Sequence, residues 1–267
     1  ARSLPMVVIA EGLEPETGRV FPENASESDA VIRVILDPID GTRGLMFDKR
    51  PAWSLAGVAP NNGPGTRLSN IEIAVMTELP TSRMSHTDVL WAIKGRGLRG
   101  AREPYSGHVP LRLGPSTAKT LAHGFASVSS FFPGTMQLSA ELMEQIATEL
   151  VPPDQLPRGA VFQDQYISTG GQLYELITGH DLFNADLRPY FYRIQNQPIG
   201  LCVHPYDLCT MLIAQEAGVV LTNGLGPAPD APLDTTTPLA WAGYANQDLQ
   251  RQIEPIIHRF LTQRGMS

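Results

Sequence analysis

The first hundred residues alternate strand-length apolar runs with turn-forming stretches, and this rhythm restricts the chain to building a sheet first. Residues 4–10 (LPMVVIA), 31–36, 53–59 (WSLAGVA), 71–79 (IEIAVMTEL) and 88–94 (DVLWAIK) are each too short for a stable helix and rich in β-formers. Gly, Pro and Asn punctuate them, as in PNNGPGTR between the third and fourth runs. Ile71, Ile73 and Val75 alternate onto one face. Residues 31–36 are almost wholly apolar, which predicts a central strand. An antiparallel meander is the simplest arrangement.

The second half changes period. Leu138, Leu142, Ile146 and Leu150 form one stripe of a helix over 135–150. GGQLYELITG (170–179) predicts a helix closed by Gly179, and PYDLCTMLIAQEAG (205–218) a helix with Pro205 and Asp207 at its start. Residues 181–187, VVLT and PLAWAGY predict strands, and 246–263 a terminal helix bent at Pro255. The stretches 12–29 and 226–238 predict loops, the latter an exposed insertion. A boundary near 128–134 divides the 267 residues into an antiparallel-sheet lobe (1–130) and a mixed α/β lobe (131–267), together one compact unit. No apolar run reaches the roughly 20 residues that cross a bilayer. A net charge of −7 disfavours polymeric nucleic acid and anionic membranes as partners. Two cysteines, Cys202 and Cys209, make neither a disulfide framework nor a zinc site, so reduced thiols and a cytoplasmic location are expected.

Chemistry concentrates where the second run ends, in VIRVILDPIDGTRGL (31–45). Pro38 keeps Asp37 extended, Gly41 frees the backbone to turn, and Thr42 is placed to cap a short helix. Asp-Pro and Asp-Gly are also ordinary turn signals, so Asp37 and Asp40 alone fit either a turn or a hard-cation site. Glu11 ends the first run and Asp207 opens a predicted helix. Each has an ordinary reading, as an edge residue and as a partner of the helix dipole.

LDPIDGT resembles the signature D-P-[I/L/M]-D-G-[T/S] of the inositol monophosphatase family, whose wider superfamily includes fructose-1,6-bisphosphatases and bisphosphate nucleotidases. VVIAEG is similar to the family's upstream strand ending in a metal-binding glutamate, and PYDLCTMLIAQEAG to its downstream W-D-x-x-A-G…E-A-G element. DVLWAIKGRGLRGARE and STGGQLYELITGHDLFNAD match intervening segments in order, so the likeness spans residues 5–223. It implies a layered α-β-α-β-α sandwich of α/β class. The family's N-terminal helices have no counterpart before Glu11, so a segment is expected to be missing, with an apolar sheet face left exposed.

The resemblance further implies hydrolysis of a phosphate monoester with two or three Mg²⁺ ions. Metal ligands would be Glu11, Asp37, Asp40, Asp207 and the carbonyl of Ile39. Thr42 with Glu11 would orient the attacking water, with Asp37 also catalytic, and the N–H groups of Gly41 and Thr42 would hold phosphate. Gly170, Gly171, Asp186 and Arg188 are the implied substrate contacts. Inositol monophosphate or a related sugar phosphate is the expected substrate, with a fructose-1,6-bisphosphatase or 3′(2′),5′-bisphosphate nucleotidase as alternatives. Tyr206 replaces the family's tryptophan, and Leu208-Cys209-Thr210 its small residues. These departures leave a catalytically silent metal-binding relative as an alternative of another class. Lithium sensitivity and a homodimer are also implied.

Overall fold

The computed structural model describes residues 4–104, 111 and 113–266. Seven strands form the first sheet: β1 (Met6–Ala10), β2 (Arg19–Phe21), β3 (Ile32–Asp40), β4 (Ala52–Pro60), β5 (Ile73–Leu79), β6 (His86–Ile93) and β7 (Leu98–Pro104). Their order is β2-β1-β3-β4-β5-β6-β7. The meander from β3 to β7 is antiparallel, whereas β1 runs parallel to β3. A short helix α1 (Thr42–Met46) follows β3. The second sheet contains β8 (Gly124–Val128), β9 (Val161–Phe162), β10 (Asp181–Asp186), β11 (Val220–Thr222) and β12 (Trp241–Tyr244), in the order β11-β12-β10-β8-β9. The remaining helices are α2 (Met136–Leu150), α3 (Thr169–Ile177), α4 (Arg188–Ile194), α5 (Met211–Ala217) and α6 (Gln247–Thr262).

Helices α3 and α5 lie between the sheets, and α2, α4 and α6 cover the far side of the second. Leu55, Met76 and Leu90 of the first sheet bury against Leu173, Leu176 and Ile213 of the sandwiched helices. Across the second sheet, Phe183 and Tyr244 pack with Ile253, Ile257 and Phe260 of α6. The chain is therefore a mixed α/β protein of alternating sheets and helices, consistent with the sugar-phosphatase sandwich. Four of the five expected layers, β-α-β-α, occur among the described residues. The outer face of the first sheet carries an apolar row, Val8-Val34-Val58-Ile73-Ile93, aligned across five strands. All five are half-buried or exposed, so among the described residues nothing covers this face.

Several elements differ from expectation. Strand β3 lies inside its sheet, but only the face of Arg33, Ile35 and Asp37 is buried. The predicted helix over 205–218 begins only at Met211. The Asp207 carboxylate accepts the N–H of His204 at 2.7 Å and so holds residues 204–207 in a turn. The stretch 226–238 is no exposed insertion: Leu68 donates to the Ala231 carbonyl, Leu233 to that of Thr66, and Ala231 and Leu233 are buried. Helix α6 continues through Pro255. Strands β2, β7, β8 and β9 and helix α4 are additional.

Candidate active site

Side chains of a strand alternate between its faces, so residues three apart, such as Asp37 and Asp40, ordinarily point in opposite directions. Here both are buried. The register against β4 explains it: Asp37 pairs with Leu55 but Asp40 with Trp53, so three steps on β3 oppose two on β4. This bulge inserts one residue and returns Asp40 to the face of Asp37. Pro38, which has no N–H to lose, and Ile39 absorb the extra length and are exposed. Ile39 N–H donates to the Asp37 carboxylate at 3.0 Å.

Two glycines let other segments approach. A Cβ on Gly170, at the start of α3, would stand 2.7 Å from Leu55 Cδ2 and 3.1 Å from Asp40 Oδ2. Without one, the Gly170 N–H donates to Asp40 Oδ2 at 2.6 Å, and Ser168 Oγ donates to the same oxygen at 2.8 Å. A Cβ on Gly57 of β4 would stand 2.8 Å from the Cys209 carbonyl oxygen, so Gly57 admits the turn that carries Asp207. One carboxylate oxygen from each of Asp37, Asp40 and Asp207 then lies within 4.8 Å of the others. Glu11 follows β1, whose parallel register sets Ala10 beside Leu36, so Glu11 adjoins Asp37. It is exposed and lines the same cleft, of about 180 Å³, outside the tight triad.

Burial, then the charges of Asp40 and Glu11, push the Asp37 carboxyl up to about 8. Burial raises Asp40 to about 6, opposed by the hydrogen bonds from Gly170 and Ser168. Burial and the charges of Asp40 and Asp37 raise Asp207 well above the usual carboxylate range. Three acids that cannot comfortably ionise together fit a divalent cation, which would remove both the repulsion and the desolvation cost. The donor set is all oxygen, as Mg²⁺ requires.

The other sequence candidates fall in two groups. Ile39, Gly41, Thr42 and Arg188 line the cleft. Gly41, at φ +90°, is itself the residue before α1, so Thr42 begins that helix rather than capping it; its hydroxyl donates to the Ile39 carbonyl at 2.6 Å. Gly170, Gly171 and Asp186 are buried and do not line it. Gly170 serves Asp40, Gly171 donates to Ser168 Oγ at 2.9 Å, and Asp186 pairs with Arg188. Sequence reasoning missed Ser168, whose signal was a serine just before a glycine-rich helix start. It also missed Phe131 and Phe132, which line the cleft from a loop that reads only as a boundary.

No protein-family model matches this sequence, and neither does any curated protein. Solved structures do match in fold. The extragenic suppressor protein suhB from Bartonella henselae superposes with a TM-score of 0.59 at 14% identity, over 95% of this chain and 76% of that one. A hypothetical protein from Pyrococcus horikoshii with similarities to inositol-1 monophosphatase gives 0.57 at 13% identity, over 94% and 76%. The inositol-monophosphate-bound SaIMPase-II gives 0.58 at 15% identity, over 97% and 79%. The chain thus has the fold of the inositol monophosphatase-like proteins, with an acidic cluster suited to metal at the mouth of its first sheet.

Proposed function

We propose that this chain is a Mg²⁺-dependent phosphate monoester hydrolase, with Asp37, Asp40, Asp207 and Glu11 as metal-holding groups and the two lobes acting as one catalytic unit. The observation that carries the proposal is the convergence of three carboxylates in one cleft through a strand bulge and two glycine-permitted approaches. Four carboxylates carry enough negative charge to balance two divalent ions. Bound there, Mg²⁺ would neutralise phosphoryl charge and acidify water, the two main needs of phosphate-ester hydrolysis. The chain's own part is positional. The bulge sets Asp37 and Asp40 on one face, and on this reading the N–H groups that follow Gly41 would hold the phosphate and Glu11 at the rim would accept a proton from water. The fold likeness leaves the alcohol open, since one similar structure is described as bound to inositol monophosphate and another to 2′AMP.

The test is phosphate release from p-nitrophenyl phosphate with and without Mg²⁺. Turnover should require the ion and fall at least about 100-fold in Asp37→Asn, beyond what loss of an outer support costs. Metal binding without turnover on any phosphate ester would instead establish the silent relative, and turnover indifferent to Mg²⁺ would refute the site.

A further inference from the structure

A second cavity, of about 220 Å³, adjoins the cleft along Gly41, Arg43 and Ile167, which line both. Its remaining walls come from the segment 44–51 and from residues 165 and 166. Arg43, Lys49 and Arg50 all line it, and among the described residues no acidic side chain does. Three cations within eight residues are unusual in a chain with 20 Lys and Arg among 267 residues and a net charge of −7. The backbone explains how they gather. The N–H groups of Lys49 and Arg50 donate to the Gly44 carbonyl at 2.9 and 3.3 Å, folding the loop back beside α1. The one acid of this segment, Asp48, sits at φ +51°. Its carboxylate accepts the N–H and the hydroxyl of Ser82 at 2.7 and 2.6 Å, and so is committed outside the cavity. Arg50 is held twice: it pairs with Asp164, and its guanidinium carbon lies 4.9 Å from the ring centre of Tyr166. That ring is itself fixed, since the Tyr166 hydroxyl accepts from Trp53 Nε1 at 3.1 Å and donates to the Pro51 carbonyl at 3.0 Å. Arg43 and Lys49 are exposed, and neither side chain has a partner among the described residues.

Two uncompensated positive charges on one cavity repel each other, and a dianion placed there would remove the repulsion. Phe47, Tyr166 and Ile167 add apolar lining, which suits a ring better than a bare ion. Phe47 is 74% exposed, and a bound ring would take part of that surface out of water. The volume is below the roughly 300–1,000 Å³ of a drug-sized site, so the occupant is small. We propose that this cavity is a second binding site, separate from the metal-holding cleft, for a small organic dianion that carries a ring. The proposal is independent of the hydrolase reading, because it requires neither metal nor turnover.

The probe is phenylphosphonate, a ring-bearing dianion at pH 8 whose carbon–phosphorus bond is not an ester, titrated by calorimetry into metal-free protein in EDTA. Without a cation the carboxylates of the cleft disfavour an anion there. Phenylphosphonate should bind, and bind more weakly in about 0.5 M than in about 0.05 M NaCl. Lys49→Gln should cut the affinity several-fold, as loss of one exposed charge contact allows. Phe47→Ser should weaken phenylphosphonate but not inorganic phosphate. Both side chains are exposed, so both changes spare folding. Leu201→Ser alters the lining of the cleft and not of this cavity, and should bind the probe as the parent does. Absence of binding up to about 10 mM overturns the proposal, as does an affinity indifferent to Lys49→Gln or to salt. Weaker binding in Leu201→Ser would place the anion in the cleft and overturn it as well. Equal affinity for inorganic phosphate, or an affinity unchanged in Phe47→Ser, overturns the ring-bearing class of ligand. None of these outcomes bears on turnover in Mg²⁺, so the hydrolase reading stands or falls by its own test.

Discussion

Removing the Ser168 hydroxyl should separate the two things it does. Ser168 is the residue before α3, and its oxygen accepts the Gly171 N–H at 2.9 Å; the same hydroxyl donates to Asp40 Oδ2 at 2.8 Å. In Ser168→Ala the lost cap costs about 1 kcal/mol. The lost bond to a buried carboxylate costs about 1.5–3 kcal/mol. Because one hydroxyl makes both bonds and the Gly170 N–H still holds Asp40, the sum is an upper bound, and about 2–3 kcal/mol is expected in metal-free urea unfolding. Asp40 would also lose one of its two named anchors, so calorimetric Mg²⁺ or Mn²⁺ affinity should fall about 10-fold or more, as for outer-shell partners elsewhere. Asn246→Ala is the control. Asn246 caps α6 through the Leu249 N–H at 3.0 Å, remote from the cleft, so its loss should lower stability and leave metal affinity unchanged. If Ser168→Ala also loses stability alone, the claim that the start of α3 positions Asp40 is wrong.

Other outcomes follow from buried groups nearby. Burial pushes Glu78 up to about 7, so the native state holds its proton more tightly than the unfolded chain does. Its stabilising share is whole below the ordinary glutamate range and is lost as pH rises toward 7. Glu78→Gln should therefore be more stable than the parent at pH 8 by about 1–2 kcal/mol, with the gap closing by pH 5, in thermal melts across that range. A gap that is the same at both pH values would refute it. Gly57→Ala should cost about 1–3 kcal/mol, because the new Cβ meets a backbone carbonyl that cannot simply rotate away. It should also weaken metal binding through Asp207, measured by the same calorimetry. Tyr174→Phe should lose only about 1 kcal/mol in urea unfolding: it removes the bond to Asp88 at 2.6 Å but leaves the two bonds from Arg102.

Much of the first sheet was legible because its strands carry their signal locally, as apolar alternation between turn residues. The bulge was half legible. Asp-Pro-Ile-Asp showed where the ladder must break, but only the pairing with Leu55 and Trp53 shows both acids turning inward. Asp207 was found on the right segment in the wrong conformation, since its bond to His204 competes with the helix its sequence predicts. The loop 226–238 has the composition of an exposed segment, and its burial depends on residues 66–68, far away in sequence. The same holds for Phe131, Phe132 and Arg188: their roles rest on mutual packing, which composition does not express.

The four acids come from three separate segments, and each segment is brought in by a different backbone device. Glu11 depends on parallel register, Asp37 and Asp40 on an inserted residue, and Asp207 on a turn admitted by Gly57. None of these devices draws on the interaction of the acids with one another, which is repulsive when they are ionised and is made worse by burial. The cohesion must come from elsewhere, and the apolar layer of Leu55, Leu173, Ile213 and their neighbours lies directly behind the cleft. Packing of that layer holds the carboxylates together before a cation arrives, so the site is pre-organised rather than assembled by the metal. It follows that truncating Leu173 to alanine should weaken metal binding as well as stability, although Leu173 touches no ligand. Retention of full affinity in a folded Leu173→Ala protein would show instead that the cation gathers its own ligands.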